Sequence, residues 1–129
     1  MREQVELRGA VARILFIDDD ESIRFLVQEE LGFDGHAVQV AGDGPTGLAL
    51  ANQERPDLVI LDLKMPGMGG MEVLRLLKDA HPELPVFLFT AYEDYSDTAY
   101  SMGADGYFVK SPDLGILREG VRAAINGAS

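Results

Sequence analysis

Five short apolar runs rich in β-formers alternate along this chain with five stretches of helical spacing, and no other feature narrows the fold as far. The runs are R-I-L-F-I (13–17), H-A-V-Q-V (36–40), D-L-V-I-L (57–61), P-V-F-L-F (85–89) and G-Y-F-V (106–109). Runs three and four are continuously apolar, as strands covered on both faces should be. Residues 21–31 place Ile23, Leu26, Val27 and Leu31 on one helical face before Gly32 and Gly35. The 45–54 stretch opens on Pro45, a good first-turn residue, and carries Leu48, Ala49 and Leu50. Residues 70–80 carry Val73, Leu74 and Leu77, 94–102 are more polar, and 113–126 carry Leu117, Val121 and Ile125. In chain order these are β1 to β5 and α1 to α5. The alternation implies an α/β fold, a parallel sheet with helices on both faces, and right-handed crossovers then leave few topologies.

Composition bounds the function. There are 22 acidic residues against 11 basic ones, a net charge of −11. That charge repels a phosphate backbone, so no direct nucleic-acid binding is expected. Cysteine is absent, which excludes disulfides, zinc thiolates and thiol catalysis and fits a cytoplasmic location. The first residues mix charges and make no signal peptide. Apolar runs of about five residues fall far short of the roughly 20 that span a membrane, so no membrane contact is expected. The 129 residues fit one domain, read here as 12–129 after an N-terminal leader at 1–11. No G-x-x-x-x-G-K-[ST] loop is present, which excludes a P-loop nucleotidase.

In open parallel sheets, ligands sit beyond the carboxyl ends of the strands, at a switch in strand order. The residues that end the strands are therefore the candidates. Asp18, Asp19 and Asp20 follow β1, Asp62 follows β3, Thr90 and Ala91 follow β4, and Lys110 follows β5. A parallel sheet gathers them at one edge. Two carboxylates about 5 Å apart repel by roughly 3 kcal/mol at an effective dielectric near 20, so the cluster needs cations. Lys110 supplies one charge. A hard divalent ion, Mg²⁺, suits the remainder, because it accepts carboxylate ligands and keeps waters that a phosphate can replace. Such a pocket suits a phosphoryl group: metal and lysine neutralise its oxygens, and the threonine hydroxyl donates a hydrogen bond. An Asp carboxylate is a competent phosphoryl acceptor. Asp20 reads as a helix cap alone.

The stretches I-L-F-I-D-D-D, L-V-I-L-D-L-K-M-P-G-M-G-G, F-L-F-T-A and G-A-D-G-Y-F-V-K, in this order and spacing, resemble the receiver domain of two-component response regulators over roughly residues 12–128. The resemblance implies a doubly wound, flavodoxin-like (βα)5 sandwich with a five-stranded sheet in the order 2-1-3-4-5. It implies Asp62 as the phosphoacceptor, and Mg²⁺ held by Asp19, Asp62 and the Lys64 carbonyl, with Asp18 acting mainly through water. Thr90 would bond the phosphoryl group, Lys110 would pair with it, and Tyr107 matches the aromatic switch position. The donor would be a phosphohistidine on a sensor histidine kinase or phosphotransfer protein. Phosphorylation would draw Thr90 in, let Tyr107 turn inward and alter the α4–β5–α5 surface, for a downstream effector or a missing output domain. The chain would be a phosphoacceptor assisting its own phosphorylation and dephosphorylation, not an enzyme. Lys110-Ser111-Pro112 departs from the family's usual Lys-Pro, so the loop beside Lys110 is expected to differ. Lys64 and Tyr92 occupy positions that tune phosphoryl lifetime in the family, and their bulk points to slow self-hydrolysis.

Two other classes compete. Asp18-x-Asp20, with a later Thr and Lys, loosely resembles the haloacid dehalogenase-type phosphatases, whose nucleophile would be Asp18. That class needs acidic metal ligands on a strand after the lysine, where only Asp113 and Glu119 follow, both in the α5 region. A receiver-like binding module that docks without phosphate is the other alternative. Phe25, opposite the apolar face of α1, is either a docking contact with Ile23 or an ordinary surface ring. Tyr95 and Tyr100 belong either to an output surface or to ordinary packing. Arg118 and Arg122 read as a solvated face, and Met65, Met68 and Met71 as packing filler.

Overall fold

The computed structural model describes residues 12–127, and the expected leader at 1–11 lies outside them. The elements are β1 (Arg13–Ile17), α1 (Glu21–Phe33), β2 (Ala37–Ala41), α2 (Gly44–Gln53), β3 (Leu58–Leu61), α3 (Gly70–Ala80), β4 (Val86–Thr90), α4 (Ser96–Ser101), β5 (Gly106–Val109) and α5 (Gly115–Gly127). All strand pairs are parallel, in the order β2-β1-β3-β4-β5. The parallel sheet is what the alternation implies, and the doubly wound 2-1-3-4-5 order is what the resemblance implies.

The sheet divides the core in two. On one face, Leu15, Ile17, Val59, Leu61, Val86 and Leu88 pack with Ala51 of α2, with Val73, Leu74 and Leu77 of α3, and with Ala99 of α4. On the other, Ile14, Phe16, Leu58, Ile60, Phe87 and Phe89 pack with Val27 and Leu31 of α1 and with Leu117 and Val121 of α5. Successive strand residues alternate between the two faces, which is why β3, and β4 up to Thr90, must be apolar.

Several local details differ from the sequence reading. α1 runs through Gly32 to Phe33, and Leu26 is exposed where Val27 and Leu31 are buried. α2 buries Gly44, Gly47 and Ala51, not its leucines. A Cβ on Gly47 would stand 2.4 Å from Ile17 Cδ1, so small residues set how closely α2 approaches β1. α4 is six residues long, and its first turn begins after Tyr95. Arg118 does not face solvent alone. It donates to both carboxylate oxygens of Asp34, at 2.6 and 2.9 Å, and to Glu30 at 3.0 Å, pinning α5 to α1. The three methionines are packing residues, as expected: Met65 is buried, and Met68 and Met71 lie against the same core. No helix among the described residues is long and apolar enough to cross a membrane.

Candidate functional site

The sheet's hydrogen-bond ladder continues one residue past the strands, and this places the site. Ile17 pairs with Leu61, and the Asp62 amide donates to the Ile17 carbonyl at 2.9 Å. The Asp18 amide donates to Ala41 at 3.0 Å, and the Lys110 amide to Thr90 at 2.7 Å. Asp18 and Asp62 therefore follow adjacent strands, and Lys110, which follows β5 beyond β4, stands at the same rim. One oxygen from each of Asp18, Asp19 and Asp62 lies within 4.8 Å of the others. Asp18 is fully buried, Asp62 is buried, and Asp19 is exposed.

Lys110 answers that charge. Its ammonium lies 2.8 Å from Asp18 Oδ2 and 3.5 Å from Asp62 Oδ1, with the Phe89 ring 5.8 Å away. Burial works against the charged amine, but the two carboxylates override it and hold Lys110 above its usual value. One lysine is not enough for Asp62. Burial first, and then the charge of Asp18, push its carboxyl up to about 6 despite Lys110 and the Leu63 amide, which donates to it at 2.9 Å. The site thus retains uncompensated negative charge.

Local backbone geometry fixes the rest. Asp20 caps α1, accepting from the Ser22 and Ile23 amides at 2.9 and 3.3 Å, as expected. Asp18 accepts the Asp20 amide at 2.9 Å. Arg24, one turn into α1, donates to the Asp18 carbonyl at 2.7 Å. Sequence reasoning passed over that arginine; a basic residue one turn after an acidic strand end was its signal. Gly70 opens α3 directly against the loop that follows Asp62, where a Cβ would stand 2.2 Å from the Asp62 carbonyl oxygen.

Thr90 ends β4 and is fully buried, and its hydroxyl accepts the Tyr92 amide at 3.3 Å. Tyr107 is half-buried against the core, and its hydroxyl donates to the Tyr92 carbonyl. Burial pushes that phenol above its usual value. A single peptide segment at Tyr92 thus touches both expected switch residues. Lys64, two residues past Asp62, is exposed, and its ammonium lies against the Tyr92 and Tyr95 rings. Beyond Lys110 no cis peptide occurs, and Ser111 donates to the Asp113 carbonyl at 2.8 Å. Phe25 is 65% exposed on α1, where Ile23 is half-buried.

Known proteins share this pattern. The response regulator receiver domain family matches residues 14–122. Response regulator MprA of Mycobacterium leprae is 36% identical over 115 residues, covering 88% of this chain and 50% of that protein. Transcriptional regulatory protein AfsQ1 of Streptomyces coelicolor is 38% identical over 114 residues, covering 87% and 50%. The chain thus spans about half the length of these curated relatives. Response regulator TrrA of Thermotoga maritima, solved in complex with Mg²⁺-BeF, superposes with a TM-score of 0.83 at 38% identity, covering 87% of this chain and 97% of that one. Chemotaxis protein CheY4 of Vibrio cholerae superposes at 0.83 with 29% identity, covering 89% and 99%. Neither the phosphatase reading nor the phosphate-independent module gains support from these likenesses. A parallel sheet that converges its acids, hydroxyl and amine on one rim, matched over nearly its whole length by receivers and by no other class among these relatives, belongs to the response regulator receiver domain family.

Proposed function

We propose that Asp62 is the phosphoacceptor of this receiver domain and takes its phosphoryl group from a phosphohistidine on a sensor histidine kinase or phosphotransfer protein. One observation carries the reading. Among the described residues, the buried polar and charged side chains are Asp18, Asp62 and Thr90, and all three lie at the rim that Lys110 reaches. Burying such groups is unfavourable unless they are paired, and here they concentrate where a ligand has access.

The donor set fits a hard divalent cation, for it is all oxygen and its charge exceeds what Lys110 neutralises. Mg²⁺ would be held by Asp19, Asp62 and the Lys64 backbone carbonyl, with Asp18 acting mainly through water. Bound there, the ion supplies charge neutralisation for the phosphoryl oxygens. TrrA, solved with Mg²⁺-BeF, supports the assignment. In the transfer, an Asp62 carboxylate oxygen bonds to phosphorus as the phosphorus–nitrogen bond breaks, and the electron pair leaves with the imidazole. Lys110 pairs with the incoming oxygens. Thr90 gives up the Tyr92 amide to bond the phosphoryl group, Tyr107 turns inward, and the α4–β5–α5 surface changes by population shift. The chain assists its own phosphorylation and dephosphorylation without being a turnover enzyme. It acts in the cytoplasm on a downstream effector or an attached output domain.

Acetyl phosphate or a phosphohistidine donor with Mg²⁺ tests the assignment. Asp62→Asn should take up no acid-stable, hydroxylamine-labile label, and label persisting on another Asp would overturn it. Beryllofluoride should shift the NMR signals of Thr90, Tyr107 and α4. Shifts confined to the Asp62 loop would remove the switch while leaving the chemistry.

A further inference from the structure

We propose that Tyr95 is a positioning residue for phosphoryl lifetime: with Tyr92 it holds the Lys64 ammonium in an aromatic clasp that joins the loop carrying Asp62 to the start of α4. The inference rests on the reading of Asp62 as the acceptor. Lys64 Nζ lies 5.1 Å from the centroid of the Tyr95 ring and 5.3 Å from that of Tyr92. The rings meet edge to face, 6.3 Å apart at 77°. Both distances fall within the range in which the electron-rich face of an aromatic ring attracts a cation. In a chain of net charge −11, this lysine forms no ion pair among the described residues and lies against two rings instead.

Position gives the clasp its effect. Lys64 stands two residues beyond buried Asp62, and Tyr92 two beyond buried Thr90. The two loops are joined at the exposed level by the lysine ammonium and the two rings. Tyr95 sits at the N-cap of α4, where its side chain makes no capping bond. Its ring lies instead against the Lys64 ammonium and the Tyr92 ring. Loss of the phosphoryl group requires a water oxygen to bond to phosphorus as the phosphorus–Asp62 oxygen bond breaks. The electron pair leaves with the carboxylate, and the water's proton passes to the phosphate released. A lysine anchored on two rings by its ammonium narrows the approach of that water. It also keeps the ammonium on the rings and off the phosphoryl oxygens, where it would stabilise the developing charge. Opening the clasp removes both restraints.

The test loads the chain from acetyl phosphate with Mg²⁺, removes the donor and follows decay of the label. Tyr95→Leu should shorten the lifetime about two- to fivefold, the scale of one exposed cation–π contact. Tyr95→Phe, which keeps the ring, should retain it. In a Lys64→Met background, Tyr95→Leu should have no further effect, because the residue acts through the ammonium. The Lys64 ε-methylene protons should be shifted upfield by ring current, and Tyr95→Leu should move them back. An unchanged lifetime in Tyr95→Leu, or an equal acceleration in the Lys64→Met background, would overturn the proposal alone. A wild-type chain that takes no label on Asp62, with the ring-current signature intact, would remove the acceptor reading and this inference with it.

Discussion

Asp62 holds its charge against its surroundings. A carboxyl raised from 3.8 to about 6 by burial and by Asp18 disfavours the folded state wherever it is ionised. Its contribution to stability is fully present below the unfolded value and is lost as pH rises through about 6. Without divalent cations, Asp62→Asn should therefore stabilise the fold at pH 7 by about 1–3 kcal/mol, lost attraction to Lys110 taking part of the gain. At pH 5 the difference between variant and wild type should shrink. Thermal melts in chelator at the two pH values measure this, and a variant less stable than wild type at pH 7 would contradict it. Replacing the residue proposed as the phosphoacceptor is thus predicted to relieve the resting fold, a mark of a group retained for chemistry.

At the scale of elements, two glycines set where helices stand relative to the strand ends. Gly47 lets α2 approach Ile17, and Gly70 lets α3 begin against the Asp62 carbonyl. The second contact is with backbone, which cannot turn aside as a side chain can. Gly70→Ala should cost about 1–3 kcal/mol by overpacking and should displace the loop after Asp62, weakening Mg²⁺ binding as well as lowering the melting temperature. Unchanged Mg²⁺ affinity in a destabilised variant would show that the loop does not depend on how α3 is seated. α4, at six residues, is the shortest helix among the described residues and gives Ala99 to the core, while Tyr92, Tyr95 and Tyr100 stay substantially exposed. An element with so few buried contacts is suited to move when its neighbours change.

For the whole molecule, metal binding and folding are one equilibrium. An ion that binds the assembled rim and not the unfolded chain stabilises the fold by mass action. Millimolar Mg²⁺ should raise the melting temperature, and by more at pH 7.5 than at pH 5, because the raised Asp62 proton must leave before the oxygens can ligate. A melting temperature insensitive to Mg²⁺ at pH 7.5 would count against the metal site. The bidentate pair of Arg118 with Asp34 ties α5 to α1 and gives that side of the sheet a link additional to its apolar packing.

Much of this was legible in the residues themselves. The alternation of apolar strands with amphipathic helices implies the layered fold, because strand and helix periods are properties of the local chain. The four strand-ending positions follow from it, because parallel strands share one carboxyl edge. Tertiary structure alone decided which face of α2 is buried, that Arg118 is paired, and that Lys64 lies between Tyr92 and Tyr95. Each depends on distances between elements far apart in sequence, set by how glycine and side-chain volumes let helices and loops approach. The raised carboxyl of Asp62 belongs to the same group: a sequence shows that acids converge, but only packing removes the water that would have screened them.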